Sequence, residues 1–136
     1  MNFLLDTNVI SEPRRKRPDR HVVSWLRRTE FRSLHISVLT MGELMQGVVR
    51  LARRDAAQAT ALGRWLDEVR ANYADRIIPI DIEIAQAWGR LNASRPLPPI
   101  DGFLVATALV RGMTFVTRDT QSIADTGVVT VDPWAG

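Results

Sequence analysis

Four acidic residues in this chain lie beside or within apolar segments, and carboxylates in such places can do chemistry. Asp6 directly follows a short apolar run, and Asp119 follows the predicted strand 113–117. Asp101 follows a proline-rich loop, and Glu43 is the single acid of an apolar helical stretch. Carboxylates that are brought together repel one another unless a divalent cation neutralises them. Oxygen ligands with no cysteine or histidine nearby suit magnesium or manganese, and such clusters commonly serve phosphoryl transfer. If the four side chains converge, the sequence predicts a metal site that acts on a phosphate.

Each acid also has a plainer interpretation. Asp6, or one of the two polar residues after it, could cap a short helix that begins at Val9. Glu43 could complete a capping box or be solvated on its helix. Asp101 could be an N-terminal cap or interact with a helix dipole, and Asp119 could be a turn residue. The joint placement of the four acids at one edge of a predicted sheet favours the functional interpretation.

Apolar segments of strand length recur along the chain, separated by helical patterns. Pro79 within the third segment indicates an edge strand or a strand end. Short strands that are apolar throughout and alternate with helices are typical of a parallel sheet covered on both faces, so the predicted fold class is α/β. The predicted strands are residues 3–5, 34–37, 77–80, 113–117 and 128–131.

Capping residues and helical periodicity predict the helices that connect these strands. Asp19 and Asp81 are suited to cap helices, and Gly112 is suited to end one. Ligands of such sheets bind outside the carboxyl ends of the strands, near the point where strand order reverses. The predicted helices cover about 19–28, 37 or 38 to 54, 55–72, 81–91 and 100 or 101 to 112, with a loop at 92–99.

Composition limits the class of protein. The chain has 136 residues, of which 46% are hydrophobic and 24% charged, which predicts one globular domain over residues 1–136. It has no cysteine, which excludes disulfides, thiolate nucleophiles and sulfur-bound zinc. Since neither a secretory leader nor an apolar run of about 20 residues is present, a cytoplasmic location is expected.

Positive charge comes almost wholly from arginine. The only lysine, Lys16, lies in the basic run 14–17, where a Schiff base or a phosphate-loop lysine is out of place. The formal net charge is +3 and the sequence pI is about 10.5, a weak indication of an anionic partner such as nucleic acid. The run 14–17 could contact phosphates or be an exposed loop.

The order of four segments resembles that of the motifs in PIN-domain proteins, over essentially the whole chain. Within that superfamily the chain is most similar to the VapC toxins of type II toxin–antitoxin pairs, especially their FitB-like branch. The segments are 3–8 (FLLDTN), 37–44 (SVLTMGEL), 100–108 (IDGFLVATA) and 116–119 (VTRD), followed by the closing 131–134 (VDPW).

This resemblance implies a fold, an activity and a set of site residues. The fold would be a three-layer α/β/α sandwich around a five-stranded parallel sheet. The activity would be that of a magnesium-dependent ribonuclease, in which Mn²⁺ can substitute for Mg²⁺. Asp6 and Asp101 would be the principal metal ligands, and Glu43 would complete the acidic pocket. The residues that orient these carboxylates or bound waters would be Thr7, Asn8 and Thr117.

The chain departs from the family pattern at one point. Relatives in this branch often carry an acid three positions after a polar residue and before an aromatic one, whereas here Asp119 is followed by Ser122 and Ile123. Either Asp119 supplies the fourth catalytic carboxylate itself, or the site works with three.

The resemblance also implies partners, and two other functions stay open. The implied partners are an RNA substrate, a VapB-like antitoxin that blocks the acidic pocket, a second copy of the chain, and operator DNA reached through the antitoxin. One alternative is a non-catalytic PIN-fold protein that acts with its antitoxin on operator DNA. The other is a phosphotransferase with Asp6 as nucleophile, which Asn8 disfavours because haloacid dehalogenases need a second acid at that position.

Overall fold

Five short strands form one parallel sheet in the computed structural model, which describes residues Met1–Gly136. The strand order is β3-β2-β1-β4-β5, and every neighbouring pair is parallel. All five predicted strands are present, but the third ends before Pro79, which has no amide hydrogen for the ladder, and the fifth is shorter than predicted. The strands are β1 (Phe3–Leu5), β2 (Leu34–Ser37), β3 (Ile77–Ile78), β4 (Thr114–Val116) and β5 (Thr130–Val131).

Six α-helices connect the strands, together with several short 3-10 turns. None of the helices is both long enough and apolar enough to cross a membrane. The helices are α1 (Thr7–Ser11), α2 (Arg20–Arg28), α3 (Val38–Ala52), α4 (Ala56–Asn72), α5 (Ile82–Ser94) and α6 (Pro99–Arg111).

The helix ends follow local chemistry. Asp19 and Asp81 accept backbone hydrogen bonds at the starts of α2 and α5, as predicted. Gly112 ends α6 in the left-handed conformation, with φ of 64°. The predicted loop at 92–99 is wrong at both ends, because α5 continues to Ser94 and α6 begins at Pro99, whose fixed φ suits a first helical turn.

Two hydrophobic cores lie on opposite faces of the sheet. Leu4 packs with residues of α5 and α6, whereas the next residue, Leu5, packs with residues of α1, α2 and α4. The same alternation separates Phe115 from Val116 on β4. The predicted three-layer α/β/α sandwich is therefore confirmed.

The sheet has its switch point between β1 and β4. From β1 the chain proceeds to β2 and β3 on one side, while β4 and β5 lie on the other side. Ligands of open parallel sheets bind at the carboxyl end of such a point. The residues that follow these two strands, Asp6 and Thr117, are therefore the natural centre of a site.

A buried arginine, Arg76, links the C-terminal end of α4 to strand β2. Arg76 donates hydrogen bonds of 2.7 Å each to the carbonyl oxygens of Phe31, Leu34 and Asn72. Its guanidinium also lies over the rings of Phe31 and Tyr73, at 4.4 and 5.0 Å from the ring centroids. One side chain thus provides hydrogen-bond donors to carbonyl oxygens at the last turn of α4 and at the start of β2.

Candidate active site

Asp6 is fixed at the end of β1 by three hydrogen bonds. Its amide donates to the carbonyl oxygen of Val116 on β4 at 2.9 Å. One carboxylate oxygen accepts from the amide of Thr7 at 2.8 Å, and the other accepts from the hydroxyl of Thr117, also at 2.8 Å. Asp6 therefore caps α1, which begins at Thr7 and not at Val9 as predicted, and still faces the switch point.

Glu43 reaches the same place from α3. Its carboxylate accepts a 2.5 Å hydrogen bond from the hydroxyl of Thr7. The Thr7 hydroxyl also lies within hydrogen-bond distance, 3.3 Å, of the hydroxyl of the fully buried Thr40. The helix is capped by Ser37, so Glu43 belongs to no capping box.

Asp119 lies on the loop after β4 and is oriented by Ser122. The Ser122 hydroxyl donates to its carboxylate at 2.8 Å, and the Ser122 amide is 3.4 Å away. Thr117, which holds Asp6, also accepts from the amide of Asp119 at 3.3 Å. The residue that replaces the family's downstream acid is thus a hydrogen-bond donor to Asp119.

Asp101 stands in the first turn of α6, and its side chain makes no hydrogen bond within the chain. Gly102 allows this end of α6 to lie against α5, since a Cβ there would come within 3.0 Å of the Trp88 ring. Trp88 in turn stacks on Phe103, with 4.6 Å between ring centroids. The backbone of Asp101 is therefore firmly placed while its carboxylate is free to bind a ligand.

The carboxylates influence one another's ionisation. Burial raises the pKa of Asp6 above its ordinary value, and the charges of Glu43 and Asp119 raise it further, against the lowering effect of its two hydrogen-bond donors. Burial also raises the pKa of Asp101, with smaller contributions from Asp6 and Asp119. No basic side chain contributes to either shift. The structure thus brings the four predicted acids into one electrostatic group.

The remaining predicted residues differ in their surroundings. Thr7 and Thr117 contact carboxylates directly, whereas Asn8 is exposed and makes no side-chain hydrogen bond. Sequence reasoning missed Thr40 as a hydrogen-bond partner within the site and Ser122 as the donor to Asp119. The spacing of three between Thr40 and Glu43 was the one available signal, since residues i and i+3 share a helix face.

The donor set suits a hard divalent cation. It consists of carboxylates and hydroxyls, and neither histidine of the chain takes part in its hydrogen bonds. No three acidic or histidine side chains converge tightly enough to enclose one ion as they stand.

Comparison with known proteins shows which family the chain belongs to. The model of the PIN domain family matches residues 3–128. The chain belongs to the PIN-domain family. The resemblance predicted from its four ordered motifs is therefore confirmed.

Three curated relatives match over nearly their full length. Toxin FitB of Neisseria gonorrhoeae is 33% identical, with 97% of this chain and 98% of the relative covered. VapC ribonuclease Y4jK of Sinorhizobium fredii is 32% identical, with 97% of each chain covered. Plasmid stability protein StbB of Pseudomonas syringae is 31% identical, with 97% and 98% covered.

Solved structures give the same result. The crystal structure of FitAcB from Neisseria gonorrhoeae has a TM-score of 0.90 and 33% identity, with 97% of this chain and 98% of that chain covered. The structure of FitAB bound to an IR36 DNA fragment has a TM-score of 0.88 and 32% identity, with 97% and 95% covered. The PIN fold is thus matched across the whole sheet and both helical layers.

Proposed function

We propose that this chain is the toxin of a type II toxin–antitoxin pair and a metal-dependent ribonuclease that hydrolyses RNA phosphodiester bonds. The observation that carries the proposal is the group of four carboxylates at the strand switch point of a PIN domain. Relatives that match nearly the whole chain are named as a ribonuclease and as a toxin. Their names support the substrate class, and the acidic site supports the chemistry.

The site residues divide the work among them. Asp6 and Asp101 would hold Mg²⁺, or Mn²⁺ in its place, with Glu43 and Asp119 completing the acidic pocket. When bound, the cation would activate a water and stabilise the charge of the leaving oxygen. Thr117 orients the carboxylate of Asp6 by donating a hydrogen bond to it, and Thr7 orients that of Glu43 in the same way. Asn8 is exposed beside them and is free to contact water or RNA.

The proposed partners follow from the relatives. FitAcB and the FitAB–DNA structure support a VapB-like antitoxin that binds this chain and blocks the acidic site. Operator DNA would be bound through the antitoxin. The chain would form a homodimer or a toxin–antitoxin hetero-oligomer in the cytoplasm, and residues 1–136 would fold as a single PIN domain.

Cleavage of total RNA by the purified chain, free of antitoxin, tests the activity. Activity should require Mg²⁺ or Mn²⁺, stop with EDTA, and fall at least about 100-fold in Asp6→Ala and Asp101→Ala. Asp67→Ala is the matched control, because Asp67 is an exposed acid of α4 that makes no hydrogen bond or ion pair. Cleavage that survives EDTA and both site variants would refute the proposal.

The operator-binding alternative is separated by a different measurement. A non-catalytic protein would leave RNA intact under all these conditions. In a gel shift, the proposed toxin should bind operator DNA only when the antitoxin is added. Tight, sequence-specific binding by the isolated chain would favour the alternative.

A further inference from the structure

Arg118 holds a positive charge beside the acidic site without neutralising it. It lies between Thr117, which donates to Asp6, and Asp119, yet it forms no ion pair with any carboxylate. Its guanidinium carbon instead lies 5.3 Å from the ring centroid of Trp134. A cation on an aromatic face keeps its donors free for an anion. Arg118 is exposed, so a ligand in solvent can reach those donors.

Trp134 is fixed by the segment that carries it. It belongs to the short turn Pro133–Ala135, here called the C-terminal turn, and its amide donates to the carboxylate of Asp132 at 2.9 Å. Trp134 packs against the hydrophobic core that includes Val22 and Trp25 of α2. The support under Arg118 is therefore part of the folded core and not a loose tail.

The C-terminal turn packs against α2, whose outer face is basic. Arg20, Arg27 and Arg28, here called the arginine strip, line a shallow depression of about 590 Å³. The other residues that line it are Pro18, Val23 and Ser24, and none of the lining residues is acidic. None of the three arginines forms an ion pair, and Arg28 makes only a 3.4 Å hydrogen bond to Ser24. The strip is about 12 Å long, since eight residue steps of helix separate its ends.

We propose that the RNA strand bound at the carboxylates continues over Arg118 and the C-terminal turn onto the arginine strip of α2. This inference rests on the proposed function and names the surface that binds the substrate backbone. Guanidinium groups bind phosphate oxygens bidentately and without reading the base, so the strip positions RNA and does not select its sequence. The depression carries three arginines without ion-pair partners and no acid, so its charge is complementary to that of a polyanion such as RNA.

Salt dependence of RNA binding tests the strip. In an Asp101→Asn background, which keeps the RNA intact, the affinity for a fluorescent single-stranded RNA is measured at a series of NaCl concentrations. Each lost phosphate contact should reduce the slope of log K against log salt by about 0.7. The triple variant Arg20→Gln, Arg27→Gln, Arg28→Gln should lower the slope by about 2, and Arg118→Gln by about 0.7.

The matched control removes the same charge elsewhere. It combines Arg53→Gln, Arg54→Gln and Arg90→Gln, three arginines outside the strip that form no ion pair or side-chain hydrogen bond. Its slope should stay close to that of the parent protein. In the cleavage-competent chain, the strip variant should show a raised KM with kcat retained, which a damaged fold would not produce.

The outcomes separate this inference from the proposed function. If the parent chain cleaves RNA and the strip variant has the same salt slope as the control, the path over α2 is refuted and the nuclease stands. If the parent chain neither binds nor cleaves RNA, both proposals fail. If the strip variant loses only binding of a short duplex DNA, the strip serves another ligand and the inference is overturned.

Discussion

Asp6 combines two roles that the sequence presents as alternatives, a helix cap and a site carboxylate. Its carboxylate caps α1 through the Thr7 amide and at the same time lies in the acidic group, held by the Thr117 hydroxyl. A cap uses one lone pair of a carboxylate that has about four. A role of Asp6 as a helix cap therefore does not count against a role as a catalytic carboxylate.

Asp101→Asn should uncouple stability from activity. Burial and the charges of Asp6 and Asp119 raise the pKa of Asp101, so its ionisation opposes folding. Removing that charge should raise the melting temperature at neutral pH without metal, while RNA cleavage falls at least about 100-fold. Thermal melts of both proteins, together with cleavage rates, check this.

The sign of the effect gives a pH control. Because the pKa of Asp101 is raised in the folded state, the contribution of this one group to stability is most favourable below its unfolded-state pKa of about 4. That contribution is lost as pH rises through the folded-state pKa. The advantage of Asp101→Asn should therefore vanish near pH 3 and grow toward neutrality. A variant that is less stable than the parent at neutral pH, in EDTA, would contradict this account.

Magnesium removal offers a readout that does not depend on activity. A ligand that binds only the folded state raises its stability, by about 2.7 kcal/mol at 100 times the dissociation constant. Mg²⁺ should raise the melting temperature of the parent and of Asp67→Asn, and should have little effect on Asp101→Asn. An equal shift in all three proteins would place the ion elsewhere.

Ser122→Ala tests the residue that replaces the family's downstream acid. Loss of the 2.8 Å bond to Asp119 frees that carboxylate to rotate. We expect apparent Mg²⁺ affinity in the cleavage assay to weaken about 10-fold, the lower end of the range for residues that orient ligands. Thr120→Ala, a change two residues away, is the control. No change in the Mg²⁺ requirement would mean that the site works with three acids.

At the scale of elements, Arg76 should be the most costly polar residue to remove. Arg76→Met leaves three carbonyl oxygens without their donor, and each buried unpaired group costs about 1–3 kcal/mol. Urea unfolding should show a loss of about 3 kcal/mol or more. Arg64→Met, a change at an exposed arginine of α4, should stay within about 0.5 kcal/mol of the parent. Equal midpoints for the two variants would show that the carbonyls are solvated.

Elements with local signals could be predicted from the sequence, and those with distant partners could not. The caps at Asp19 and Asp81 and the stop at Gly112 depend on residues within one turn, so the pattern was enough. Arg76 looked like any arginine, because two of its three partners lie on β2 and on the turn before it, more than 40 residues earlier. Ser122 and Thr40 were missed for a related reason, since their roles depend on loop geometry and strand order.

At the scale of the whole molecule, the shared sheet should make unfolding a single event. Both cores use the same strands, since Leu4 and Leu5 face opposite layers, so neither layer can melt without exposing the other. Calorimetric and van't Hoff enthalpies should therefore agree for residues 1–136, as for one domain. Two resolved transitions would show that the layers are independent units.

The alternation of Leu4 and Leu5 between two cores also limits how the chain can change in length. A single extra residue in β1 would turn each leucine toward the wrong layer and move Asp6 away from Thr117. The same change at 15–19, 53–55 or 95–98 would only lengthen a connection between elements. Insertions inherited over evolution, and fusions designed in the laboratory, should therefore be tolerated at these three connections and rejected in the strands that precede the acids.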